Sequence, residues 1–317
     1  MSTLTLVVLA GGLGSRFDRS DAAAKALAMV GPAGERIIDY SVYDAFEAGF
    51  QRVVLVRSTN VSTAATADID AMVATWGHHG VDIVQRFQDK PTWRQKPWGT
   101  VHAVLTGADD APGPFAVVNC DDFYGAAVFT AIATFLRASD PEGETHGLVS
   151  YPLIATLPPY REPAGLADPP TVTRGICRLK SDGTLYKIDE TPGIHRCRDG
   201  SVACGTQPDT SLCSEESTSL NLFGFRRSII ATLQREFARF QADIVMHADK
   251  DTECILPLVV GRLCAEDRLR VQVLRVGDQW FGITYQHDLP HVREGLAALA
   301  ERGTYPRPLW TRPQVAQ

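Results

Sequence analysis

Two stretches of this chain combine residue types that handle phosphate. In "LVVLAGGLGSRF" (6–17), five apolar residues from Leu6 to Ala10 run straight into Gly11, Gly12 and Gly14, then Ser15 and Arg16. Glycines in a turn let backbone N–H groups approach an anion. Arg16 adds a permanent charge on a forked donor that suits phosphate oxygens, and Lys25 is a second cation nearby. In "VVNCDDFYG" (117–125), an apolar run ends on Asp121 and Asp122. Paired carboxylates at a strand end suit Mg2+, a hard ion that takes oxygen ligands, although aspartates there also cap helices. The first motif is not GxxxxGK[ST], so it is not a P-loop, and it lacks the third glycine of the dinucleotide fingerprint GxGxxG.

These residues need a scaffold that delivers them to one place. Over the first 140 residues, strand-like and helix-like segments alternate. Strands are expected at 4–10, 52–58, 81–87 and 114–120, and helices at 37–50, 62–77, 99–110 and 127–139. This alternation predicts an α/β fold, a Rossmann-like, mainly parallel sheet with helices on both faces. The continuous apolar strands agree with a sheet covered on both sides. Ligands of such sheets sit beyond the carboxyl ends of the strands, which is where both motifs fall. After residue 145 the pattern turns β-rich. Strands are expected at 146–154, 171–179, 185–191, 218–225, 270–276 and 279–285, a polar loop at 192–217, helices at 227–241 and 289–303, and an irregular tail from Thr304.

Composition narrows the partners. Lys and Arg number 31 against 37 Asp and Glu, a net charge of −6, which argues against a nucleic-acid binder. No apolar run of ~18 residues is present, so no membrane span is expected. The amino terminus does not read as a signal peptide, and a cytoplasmic protein is the expectation. Seven cysteines, an odd number without CxxC pairs, fit free thiols rather than a disulfide framework or a zinc site.

"LAGGLGSRF" followed by Lys25 resembles the signature of the sugar-phosphate nucleotidyltransferases, the nucleotide-sugar pyrophosphorylases. "VGPAGERIIDYSVYDAFEAGF", "KPWGTVHAV" and "VVNCDDFYG" resemble a poorly characterised bacterial branch of that family. The resemblance runs from about Leu6 to about Asp288. It implies one nucleotidyltransferase domain over 1–317, with an NTP-binding half to about 145, an acceptor-binding half over about 146–290, and a terminal helix and tail at 291–317.

The resemblance also implies roles. Ala10, Gly11, Gly12, Gly14 and Ser15 form the loop around the triphosphate, while Arg16 contacts the leaving phosphates and Lys25 the reacting one. Gly99 and Thr100 close on the nucleobase, with Trp98 packing in the core. Asp121 holds Mg2+. Gly175, Glu190 and Asn221 face the acceptor, and Arg174 is an extra cation nearby. The chain departs from the family at Ala24, where a proline is usual, at Thr191, where a lysine is usual, and at Gly282, where a second metal-binding aspartate is usual. Asp288 either replaces that ligand or caps the last helix.

The implied reaction joins an NTP and a phosphorylated small-molecule acceptor, a sugar 1-phosphate, into a nucleotide-activated sugar with release of pyrophosphate. Self-association of the chain is a further expectation carried by the resemblance. Two alternatives stay open at this point. One is a non-catalytic nucleotide or nucleotide-sugar sensor on the same fold. The other is an enzyme whose acceptor is a non-sugar phosphate or a phosphonate.

Overall fold

The computed structural model describes residues 3–11, 27–59, 63–138, 140, 143–160, 171–205, 212–277, 279–283 and 288–310. Four parallel strands form the amino-terminal half: β1 (Thr5–Ala10), β2 (Arg52–Ser58), β3 (Asp82–Gln88) and β4 (Phe115–Asn119), in spatial order β3-β2-β1-β4. β1 is central and buried along its whole length. Its alternate side chains enter two separate cores. Leu6, Val8 and Ala10 pack with α1 (Ile37–Glu47), α2 (Thr63–His78) and α4 (Ala126–Arg137). Val7 and Leu9 pack with α3 (Thr100–Ala108), α5 (Ile229–Met246) and α6 (Leu256–Ala265). The expected Rossmann-like α/β sheet with helices on both faces is therefore present.

The sheet forks at one strand. β10 (Ser217–Phe225) runs antiparallel to β6 (Thr145–Pro152) along one edge. On its other edge Thr218 and Ser219 pair with β7 (Val172–Leu179), whereas Phe223 to Phe225 pair with β4. Between the two pairings the register shifts, from Ser219 opposite Ser150 to Phe223 opposite Leu148. The extra residues of β10 form a bulge at Leu220 to Leu222. Asn221 lies in it at φ 64°, a left-handed conformation that asparagine tolerates better than most residues. β7 continues the antiparallel arm through β8 (Leu185–Arg196) to β9 (Val202–Cys204). On the far edge β11 (Arg270–Arg275) pairs in parallel with β6.

Two segments differ from expectation. The segment 192–217 is not all loop, because β8 extends to Arg196 and pairs with β9. Helix α6 was not anticipated: its run "LPLVVGRLC" is apolar almost throughout and carries no helical alternation. The tail after Thr304 is irregular, as expected, and it is packed, with Tyr305 and Leu309 buried alongside Ile37, Tyr40, Phe123 and Phe281. In that cluster α7 (Leu289–Glu301) and the tail sit behind a two-stranded ribbon, β5 (Asp122–Phe123) paired with β12 (Phe281–Gly282). Among the described residues no helix is long and apolar enough to cross a membrane, and every cysteine is a free thiol.

A buried carboxyl ties the tail to α1. Tyr305 OH donates to Asp44 Oδ2 at 2.7 Å, and burial pushes the Asp44 carboxyl up to about 8. Below about pH 4 this group is protonated in the folded and unfolded chain alike. Between about pH 4 and 8 the unfolded chain releases the proton and the fold keeps it, so this contribution to stability falls as pH rises. Asp44→Asn retains an acceptor for Tyr305 and removes the titration. We predict that urea midpoints measured from pH 4 to 8 decline less steeply in the variant than in the parent.

Candidate functional site

A cavity of about 250 Å³ opens at the carboxyl ends of β1, β3 and β4 and the start of α3. Leu9 and Gly11 come from β1 and the residue after it, Gln88 from the end of β3, Gly99, Thr100 and Ala103 from α3 and its cap, and Asn119, Cys120 and Asp121 from the end of β4. This is where ligands of parallel α/β sheets bind. Of the residues the sequence singled out, Gly11, Gly99, Thr100 and Asp121 are brought together here. Gly12, Gly14, Ser15, Arg16 and Lys25 lie outside the described residues.

Gly99 is fixed by backbone as much as by any ligand. Its φ is 100°, and a Cβ there would stand 2.6 Å from both N and O of Cys254. Cys254 N–H donates to Trp98 O at 2.8 Å, and Val101 N–H donates to Cys254 O at 3.0 Å. Leu256 N–H donates to Thr100 Oγ1 at 2.8 Å. The first turn of α3 is thus partly capped by the start of α6 rather than open throughout to a nucleobase. Trp98 is buried against Phe237, as core packing requires.

Two contributors escaped the sequence reading. Gln88 is buried at the cavity wall, and its Nε2 donates to Gly99 O at 2.9 Å. Arg94 is fully buried, and its guanidinium lies 4.4 Å over the Trp98 ring. It donates to the carbonyls of Lys96, Pro97, Asp249 and Thr252. This clasp holds the segment before Gly99 against the segment before Cys254. Neither residue sits in a recognisable motif, and their partners lie far away in sequence.

The acidic turn follows β4. Ile283 N–H donates to Asp121 O, and Ser41 Oγ donates to Asp122 O. Asp122 is buried, and its Oδ2 accepts from Asn119 Nδ2 at 2.9 Å and from Tyr124 OH at 3.2 Å. Burial first, and the Asp121 charge second, push its carboxyl up to about 7. Asp122 is not a helix cap, since Gly125 caps α4. It stands directly across from Gly282 in the ribbon. A Cβ at 282 would collide with the Trp280 ring and stand 2.9 Å from Asp122 Oδ1. The family's usual aspartate has no room at 282 here, and a carboxylate oxygen from the facing strand borders that space. Asp288 occupies the cap position of α7 without a side-chain cap hydrogen bond.

In the antiparallel arm, Gly175 faces Glu190 across β7 and β8 and Ser219 across β7 and β10. Arg174, paired with Thr191, lies 4.9 Å over the Trp280 ring. It interacts electrostatically with Asp122, Asp288 and Glu190, so the acidic turn and the antiparallel arm share one cation. The same Tyr124 hydroxyl lies 3.0 Å from Leu220 O, so its one hydrogen is shared between that carbonyl and Asp122 Oδ2, which ties the turn to the bulge at Asn221. The donor set fits a divalent cation of the Mg2+ kind, which binds through one or two carboxylates and completes its shell with phosphate oxygens and water.

Residues 6–146 match the family model of the MobA-like NTP transferase domain. No curated protein matches the chain in sequence. Among solved structures, one similar chain is a Bacillus anthracis protein assigned as a glucose-1-phosphate thymidylyltransferase, solved with sucrose. It is 12% identical with a TM-score of 0.60, over 93% of this chain and 95% of that one. Another is the inositol-1-phosphate CTP transferase of T. maritima, 13% identical with a TM-score of 0.57, over 94% and 99%.

The clasp gives a direct test. Arg94→Met removes the donors of four carbonyls, and each buried group left unpaired costs about 1–3 kcal/mol. We expect a loss of about 3 kcal/mol or more in urea unfolding.

Proposed function

We propose that this chain, an enzyme by its NTP transferase domain, transfers a nucleotidyl group from an NTP to a sugar 1-phosphate, giving a nucleotide-activated sugar and pyrophosphate. The observation that carries this reading is the cavity itself, which sets Gly11, Gly99, Thr100 and Asp121 together beside the acidic turn. A phosphate oxygen of the acceptor attacks the α-phosphorus, and the bond from that phosphorus to the bridging oxygen of pyrophosphate breaks. The nucleophile is already anionic, so no general base is required. The chain contributes position and charge.

In this reading the turn after β1 wraps the triphosphate, and Arg16 and Lys25 draw negative charge from the reacting and leaving phosphates. Asp121, with Asp122 or Asp288, would hold Mg2+, which when bound offsets charge on the triphosphate. Gly175, Glu190 and Asn221 orient the acceptor at the fork. Arg174 stands in for the lysine that Thr191 replaces. The reaction draws on soluble metabolites, in keeping with a cytoplasmic enzyme.

The reading is tested by mixing each of five NTPs with a panel of phosphorylated acceptors and Mg2+ and measuring pyrophosphate. Release that depends on one NTP and one acceptor supports it; none across the panel overturns it.

Two substitutions sharpen the test. Arg16→Ala should lower turnover by about 10²–10³, judged by the loss of one transition-state donor, at unchanged melting temperature. Asp121→Asn should nearly abolish turnover with the fold intact. A Mg2+ titration of Asp122→Asn and Asp288→Asn then identifies the second carboxylate, since only loss of a ligand shifts the half-maximal concentration upward.

A further inference from the structure

Four adjacent strands carry small or polar residues at one level of the sheet. Ser150 of β6 stands opposite Ser219 of β10, Ser219 opposite Gly175 of β7, and Gly175 opposite Glu190 of β8. Residues directly opposite one another share a face. A Cβ built on Gly175 would stand 3.4 Å from Glu190 Oε1 and 3.7 Å from the Ser219 Cβ. Two residues away along their strands, Leu148, Cys177 and Ile188 pack in the core that holds Leu9. Leu9 also lines the cavity, so the row lies on the cavity's face of the sheet. It runs from solvent inward: Glu190 is exposed, Ser219 is 7% exposed and Ser150 1%. Ser219 Oγ accepts from Asn221 N–H at 3.4 Å, which leaves its hydroxyl hydrogen to donate. Ser150 Oγ is buried and has no hydrogen-bond partner among the described residues.

We infer that Ser219 is a specificity-determining residue of the acceptor site: it and Glu190 hold two different hydroxyl groups of one polyhydroxylated ring that lies over Gly175. This rests on the reading of the fork as the place of the acceptor. The missing Cβ of Gly175 leaves a gap between the two polar side chains. An Ile188 methyl borders it, 2.9 Å from where that Cβ would be, and offers an apolar surface to ring C–H groups. Ser219 and Glu190 are two strand spacings apart, about 10 Å at the backbone. An acyclic phosphate with one polar end reaches one of them and not both. Ionised Glu190 only accepts hydrogen bonds, whereas Ser219 donates, so the two hydroxyls play different parts. The oxygen held by Ser219 comes close to Ser150, since cross-strand Cβ atoms lie about 5 Å apart. It gives the orphaned Ser150 hydroxyl a partner, and a buried hydroxyl without one is costly. The acceptor class is therefore a cyclic polyol phosphate rather than a small phosphonate or a phosphorylated amino alcohol.

The test is a hydroxyl scan. The acceptors are the cyclic polyol phosphate that releases most pyrophosphate in the panel, its monodeoxy analogues, phosphoethanolamine and a small alkyl phosphonate. Acceptor KM, NTP KM and kcat are measured for the parent, Ser219→Ala, Ser219→Cys and Glu190→Gln. Melting curves select whichever Ser219 variant folds like the parent. In the parent, loss of either of two ring hydroxyls should lower kcat/KM by about tenfold or more, the scale of one hydrogen bond to a polar group of the site. In the Ser219 variant one of those penalties should shrink to about threefold or less, and in Glu190→Gln the other should. The acceptor KM should rise in both variants with the NTP KM unchanged.

Penalties unchanged in the Ser219 variant, the same penalty reduced in both variants, or a parent that prefers phosphoethanolamine or the phosphonate overturns the inference and leaves nucleotidyl transfer standing. A parent that releases no pyrophosphate with any NTP and acceptor overturns both.

Discussion

A strand has two edges, and β10 must use one of them for two partners. β6 takes one edge along most of its length. The other edge goes first to β7 and then to β4, and no single register serves both. The bulge at Leu220 to Leu222 is how the chain resolves this, and much of the site depends on it. The parallel half ends there and the antiparallel half begins. Leu220 O, freed from a regular ladder, takes the Tyr124 hydroxyl. Asn221 turns left-handed between the two halves, and the acidic turn after β4 comes to rest beside the strands that carry Gly175 and Glu190.

The C-terminal segment supports this junction from behind. β12 pairs with β5, α7 and the tail cover the ribbon, and the Tyr305–Asp44 hydrogen bond fastens the tail to α1. The carboxylates of the turn therefore stand on a short ribbon braced by residues more than 150 positions later in the chain. Arg174 is a charge between them and β7 and β8, its guanidinium 4.9 Å over the Trp280 ring.

What the sequence made legible follows from locality. Leu6 to Ala10, Val53 to Val56 and Phe115 to Val118 are continuous apolar runs because both sheet faces are covered; Gly11 follows the first directly and Asp121 comes shortly after the third. Their place at the strand ends could be read without coordinates. Gly99 was legible as a helix start, but its reason was not: the backbone of Cys254 passes within contact distance, a fact encoded 155 residues away. Gln88 and Arg94 belong to no motif, and each acquires meaning only from the groups packed against it. The relation of Asp122 to Gly282 is a cross-strand register, which pattern alone cannot supply. Helix α6 was missed because a buried helix loses the alternation that marks an amphipathic one, and the extension of β8 because its partner β9 is short and its flanks are polar.

The Arg94 clasp bears on how the molecule is made. Its guanidinium reaches carbonyls 155 and 158 residues downstream, so the pocket end of the sheet is finished by chain synthesised long after it. Until then a charged side chain destined for the interior stays in water, and the cap of α3 lacks the backbone that closes it. Contacts of such long separation are formed late, since the loop they close costs entropy before they return any. During synthesis the amino-terminal half can therefore gather its strands and helices well before it owns a complete pocket. Completion of the pocket is therefore a property of the longer chain and not of its amino-terminal half alone.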